Sequence, residues 1–188
     1  MAVPVSVNLY PVEIGHQDVS ASVEGSSNPV LVLRNLEPGR YKVEVIPNNL
    51  EKDSWYVKSA FYGATDLLRE ELTVAPGVAS SMEIVIRDDS AMLRGTVQSD
   101  EKAGNAAVLL LAERAPLDPK MVVANERGEF QIDGLAPGEY KVFAFDRLDG
   151  LEYSNPEVLG KYASHAAQVS VSPGAEASVK VDLIQRGE

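Results

Sequence analysis

The chain has 188 residues, 45% of them hydrophobic and 24% charged, the composition of a soluble globular protein with room for one or two domains. Its formal charge of −11 comes from 17 basic and 28 acidic residues, and no local cluster of Lys and Arg offsets it, so phosphate backbones and anionic lipid surfaces are repelled. There is no cysteine, which excludes disulfides, thiolate metal sites and a cysteine nucleophile, and no apolar run approaches the roughly 18 to 20 residues of a membrane span.

The first residues, Met1-Ala2-Val3-Pro4-Val5-Ser6, lack a basic stretch followed by an apolar core, so no signal peptide is read there. Strands are predicted over residues 3–10, 19–24 and 30–33. Next comes the phrase Leu36-Glu37-Pro38-Gly39-Arg40-Tyr41-Lys42-Val43, in which Pro38-Gly39 suits a type II turn and Tyr41, Val43 and Val45 alternate with Lys42 and Glu44. That alternation predicts a half-buried strand over 40–46, followed by strands at 55–61, 72–74 and 82–87.

After the short polar stretch Asp88-Asp89-Ser90 the pattern restarts. Strands are predicted over 92–98 and 106–113, with a turn at Ala103-Gly104-Asn105 between them. Residues 121–124 and 129–133 read as a hairpin around Asn125-Glu126-Arg127-Gly128. Strands at 139–146, 168–172 and 177–183 complete a set of seven. One helical fragment is expected at 155–162, where Asn155 is an N-cap, Pro156 takes the first helical position and Glu157 lies in the first turn.

The phrase recurs as Leu135-Ala136-Pro137-Gly138-Glu139-Tyr140-Lys141-Val142, and a second echo, Leu72-Thr73-Val74-Ala75-Pro76-Gly77, returns as Val169-Ser170-Val171-Ser172-Pro173-Gly174. Two landmarks in the same order mean a duplicated module. The expected domains are residues 1–89 and 90–188, held end to end by their short linker. Aligned backwards from the phrase, residues 5–9 fall on 107–111, the second strand of the later copy, and nothing matches the first strand around Leu93-Arg94-Gly95-Thr96-Val97. The first module is therefore expected to lack its opening strand, which would lie upstream in a longer protein.

The stretch Gly128-Glu129-Phe130-Gln131-Ile132-Asp133-Gly134-Leu135-Ala136-Pro137-Gly138-Glu139-Tyr140-Lys141-Val142 resembles the G-x-F-x-I-x-G-L-x-P-G-x-Y-x-V core of carboxypeptidase regulatory-like domains, and Arg94-Gly95-Thr96-Val97 resembles their opening. The resemblance spans almost all of the second module and about two-thirds of the first. It implies an all-β fold of two tandem, transthyretin-like, Greek-key seven-stranded β-sandwiches. It further implies a non-catalytic accessory or interaction module, extracytoplasmic, in the envelope or secreted fraction of a bacterium.

Candidate chemistry is sparse. The only histidines, His16 and His165, lie in non-equivalent parts of the two modules without a metallopeptidase context, and no nucleophile elbow or phosphate-binding glycine loop is present. An internal Lys–Asn amide bond would need a core-facing Lys beside an Asn, whereas Lys180 alternates to the polar side of its strand. No enzyme activity and no cofactor are expected. Asp146, Asp149 and Glu152 surround a glycine turn and form a calcium candidate without EF-hand spacing. The aromatic run 54–62 is the candidate ligand strand. With Trp55, Val57 and Phe61 facing the core, Tyr56, Lys58 and Tyr62 would face outward, the two tyrosines about 20 Å apart and able to stack on separate sugars. The bland alternative is a strand that buries one aromatic face. The expected role is structural or adhesive, with other domains of a longer protein or a protein partner as contacts; a carbohydrate-binding module with a polysaccharide ligand is the alternative.

Overall fold

In the computed structural model, residues 5–13, 17–23, 36–47, 54–77, 81–99, 104–153 and 155–186 are described. The chain is all-β, with one short α-helix and one 3-10 turn among the described residues, and it folds as two compact units: Met1–Glu51 with Val57–Ile86, and Lys52–Tyr56 with Arg87–Glu188. Residues 52–56 are grouped with the later unit.

In the first unit, β1 (Val5–Pro11), β2 (Val19–Val23), β3 (Gly39–Pro47) and β6 (Leu72–Val74) form a sheet in the order β2-β1-β3-β6. All three pairings are antiparallel. β4 (Tyr56–Tyr62), β5 (Thr65–Asp66) and β7 (Met82–Arg87) form a second sheet in the order β5-β4-β7. Odd-numbered residues of β1 and β3 turn inward, and Val7, Leu9 and Tyr41 join Ala60, Leu67 and Leu72 in one buried core. The expected strand at 30–33 lies outside the described residues.

The second unit shows all seven expected strands: β8 (Ala91–Gln98), β9 (Ala107–Ala112), β10 (Ala115–Val123), β11 (Glu129–Leu135), β12 (Gly138–Phe145), β13 (Ala167–Val171) and β14 (Glu176–Ile184). One layer runs β14-β8-β11, with β14 parallel to β8. The other runs β10-β9-β12-β13, antiparallel throughout. The end of β14 crosses to pair in parallel with Ala144 and Phe145 of β12. Leu93, Val97, Phe130 and Val181 from the first layer meet Val108, Leu110, Tyr140 and Val142 from the second in a single core. This is a β-sandwich.

The hydrophobic run of β9 has a specific cause. β9 and its neighbour β12 are buried on both faces: Leu109, Phe143 and Phe145 point away from the sandwich core into a second cluster with Leu151, Leu159 and Ile184. Strands covered on both sides read as continuous apolar runs rather than alternating ones. The cover is the connection between β12 and β13, which contains α1 (Pro156–Gly160). Its expected cap is present: the Asn155 side chain accepts from Glu157 N–H at 3.0 Å. Tyr162, just past the helix, packs edge-on against Phe145 with ring centroids 5.1 Å apart.

Two expectations about turns are corrected. The Asn125 turn does form, with Asn125 Oδ1 accepting from Arg127 and Glu129 N–H, both at 2.9 Å. It does not close a hairpin ladder, because β10 pairs with β9 while β11 pairs with β8, so the turn carries the chain from one layer to the other. The Leu-x-Pro-Gly turn is also not type II in the second copy: Gly138 has φ 150° and already opens β12, far from the roughly +80° of that turn. The type II geometry falls in the second echo instead. Gly174 has φ 63°, and Ala175 N–H donates to Ser172 O across Pro173-Gly174 at 3.2 Å.

Residues 5–9 lie in β1 and residues 107–111 in β9. β1 lies between β2 and β3 as β9 lies between β10 and β12. The place beside the last strand differs. In the second unit it belongs to β8, which precedes the repeat; in the first it belongs to β4, drawn from the connection between β3 and β6.

Candidate functional site

In both copies the repeated phrase builds one local device. The Tyr41 hydroxyl donates to Glu37 O at 2.8 Å, and the Tyr140 hydroxyl donates to Ala136 O at 2.6 Å. Each ring is buried, and the bond returns to the carbonyl four residues upstream, fixing the entry to a core strand as a tyrosine corner does. Burial pushes Tyr140 up to about 12 and raises Tyr41 as well. These side chains serve the fold.

The aromatic strand does not present the expected row of rings. Tyr56 is only 8% exposed. Its hydroxyl donates to Asp89 Oδ1 at 3.1 Å, and Arg114 places its guanidinium 5.9 Å from the ring centroid. Arg87 grips the same carboxylate through Nε at 3.2 Å and Nη2 at 2.9 Å. That bidentate pairing holds Asp89 below the usual carboxylate range, while burial, then the Asp89 bond, raises Tyr56. The expected phase breaks further along the strand: Ala60 is buried and Tyr62 packs against the first core, whereas Phe61 is exposed. Val57 packs on that core too, and Lys58 is exposed. Trp55 is half-buried, with its indole Nε1 buried and unpartnered among the described residues. A two-ring stacking platform from Tyr56 and Tyr62 is therefore not formed.

Among the described residues no three His, Cys, Asp or Glu side chains are grouped to hold a metal ion. In the loop of Asp146, Asp149 and Glu152 the organising cation is Arg186. Its N–H donates to Asp146 Oδ1 at 3.1 Å and its Nη1 to Asp149 O at 2.9 Å, and Arg147 Nη2 returns a bond to Arg186 O at 2.7 Å. Asp149 thus contributes its backbone, not its carboxylate. His165 is exposed in the short 3-10 turn after α1, and His16 lies outside the described residues.

One arrangement was not singled out from the sequence. On the outer face of the first unit's four-stranded sheet, Asn8 stands directly across from Glu44, and Tyr10 from Lys42. The Tyr10 hydroxyl donates to Glu44 Oε2 at 2.8 Å and Asn8 Nδ2 donates to the same oxygen at 3.0 Å. The bond to Glu44 raises the Tyr10 phenol. At the near corner Arg40 is held by Glu13 through its backbone N–H (3.1 Å) and Nε (3.0 Å), and by Glu71 through Nη1 (3.2 Å). The alternation Val5-Ser6-Val7-Asn8-Leu9-Tyr10 was the available signal; it separates this face from the core but does not say which polar side chains meet across strands.

No family model matches the chain, and no curated protein matches it. Among solved structures, the minor pilin GBS52 of Streptococcus agalactiae overlays with a TM-score of 0.37 at 13% identity, over 96% of this chain and 82% of that one. A streptococcal ancillary pilin gives 0.35 at 10% identity, over 97% and 61%. The Bacillus anthracis TIE protein gives 0.31 at 15% identity, over 96% and 34%, so this chain spans about a third of that one. Likenesses at this level assign the chain no role.

Proposed function

We propose that the chain is a tandem pair of carboxypeptidase regulatory-like β-sandwich modules that serves, without catalysis, as a structural and interaction segment of a larger bacterial envelope or secreted protein. The observation that carries this reading is the repeated tyrosine corner. The residues that the two copies share most closely, Leu-x-Pro-Gly-x-Tyr-Lys-Val, are used for turn geometry and core packing in each. Duplication of such a unit adds folded length and surface rather than a second reaction centre. An extracytoplasmic location rests on the family resemblance, and the partners proposed are neighbouring domains of the parent chain or another protein.

The spacing role is tested by placing the whole chain between two fluorescent reporter domains. A spacer keeps the reporters at a longer and narrower distance distribution than a Gly/Ser linker of equal length. A distribution as broad as the linker's would remove the spacing role. Turnover in a broad hydrolase screen would remove the non-catalytic one.

A further inference from the structure

We infer that the outer face of the first unit's four-stranded sheet, centred on Asn8, Tyr10 and Glu44, binds a neutral glycan. Equivalent faces of the two units differ at matched positions. Tyr41 and Tyr140 are the same position of the repeat, so Glu44 stands where the second unit has Phe143, and Ile46 where it has Phe145. Asn8 faces Glu44 across the strands as Leu109 faces Phe143. In the second unit those positions are apolar and lie beneath the connection that carries α1. In the first unit the corresponding connection supplies β4 and β5 to the other sheet, and Tyr10, Lys42, Glu44 and Ile46 are exposed.

Solvation alone would require only polar side chains on such a face. Instead it combines an ordered carboxylate and amide with two exposed apolar groups, Tyr10 and Ile46, each 39% exposed. Both hydrogen bonds to Glu44 end on Oε2 and neither uses Oε1, so the carboxylate is positioned while retaining acceptor capacity. Ser20 lies across from Asn8 on β2 and adds a hydroxyl. The patch extends about 14 Å along β3 and about 10 Å across from β2 to β3.

The chemistry of this array selects its ligand. Donors, acceptors and apolar surface alternate within one side chain of each other, as a polyhydroxylated ring with an apolar C–H face requires. Lys42 and Arg40 are outnumbered here by Glu44, Asp18, Glu13 and Glu71, so the face repels an anionic ligand, and its carboxylates accept from the hydroxyl groups of an uncharged one. An extended peptide would gain its main-chain hydrogen bonds at a sheet edge, not on a face. Glycan binding here is independent of the spacing role, and it uses none of the residues of the Trp55–Tyr62 run.

The test is affinity electrophoresis of the full chain in gels containing hydroxyethylcellulose, xylan, galactomannan or dextran. At least one of these should retard the parent protein, with little change between about 50 and 500 mM salt, because a neutral ligand offers no charge to screen. Tyr10→Ala should weaken retardation about ten-fold, the loss of one stacking contact, and Glu44→Gln should weaken it less. Circular dichroism melts of both variants must match the parent for the loss to count, and Lys42→Met supplies a second reading if Tyr10→Ala melts early. No retardation on any of the four polymers would overturn the inference, as would equal retardation of Tyr10→Ala. A dimer in size-exclusion chromatography that Tyr10→Ala dissolves, without retardation, would assign the face to a second copy and overturn it too.

Discussion

Tyr140 shows how one hydroxyl ties sequence to stability. Its bond to Ala136 O is partly buried, so Tyr140→Phe leaves a half-buried carbonyl short of a partner and should cost about 1 kcal/mol in chemical denaturation. The same residue sets an alkaline limit. Its folded pKa, about 12, stands above the unfolded value near 10, so its contribution is complete below about pH 10 and is lost as pH rises through about 12. The parent's melting temperature should fall across that window, and Tyr140→Phe should fall less steeply. Gly95 is the second decisive residue. A Cβ there would lie 2.1 Å from Phe130 Cζ, because Phe130 is its cross-strand partner and lays its ring over the gap. Gly95→Ala should destabilise by about 1–3 kcal/mol, and part of that cost should vanish in the background of Phe130→Ala, a non-additivity that a double-mutant cycle measures.

At the level of elements, α1 matters through what it covers. It has only five residues, too few for a helix to persist by itself, so its stability comes from Leu159 seated against Phe143 and Phe145. Leu159→Ala should cost about 2–4 kcal/mol and speed amide exchange in β12 more than in β8. Most elements were legible from local pattern: the helix from Asn155-Pro156-Glu157, and the strands from period-2 alternation or, for β9, from a short continuous apolar run. What local pattern could not supply was the destination of each strand. The Asn125 turn has hairpin chemistry, yet its flanks enter different layers. The 55–62 run departs from the expected phase at Tyr56, Phe61 and Tyr62 because no single core sets its parity: Tyr56 is buried with Asp89 and Arg114, and Ala60 with Leu9 and Leu72. The open face of the first sheet was half legible. Alternation placed Asn8 and Tyr10 on the polar side, but their meeting at Glu44 depends on a pairing 36 residues away along the chain.

For the molecule as a whole, the second unit is discontinuous in sequence: residues 52–56 belong to it although they precede β7. Tyr56→Ala should therefore lower the protection of slowly exchanging amides in β12 and β14, because Asp89 loses a donor and Arg114 loses the ring it covers. Unchanged exchange there would show that the segment is dispensable to that unit.

The different origin of the strand beside β7 and beside β14 also bears on how a chain with two similar stretches avoids confusing them. Neighbouring domains of similar sequence are prone to exchange strands while folding, giving misassembled species in which one copy completes the other. Here the central strand of one layer is recruited from ahead of the repeat in the later copy and from within it in the earlier one. A strand borrowed across copies would arrive with the wrong connection and would leave its own layer without a centre.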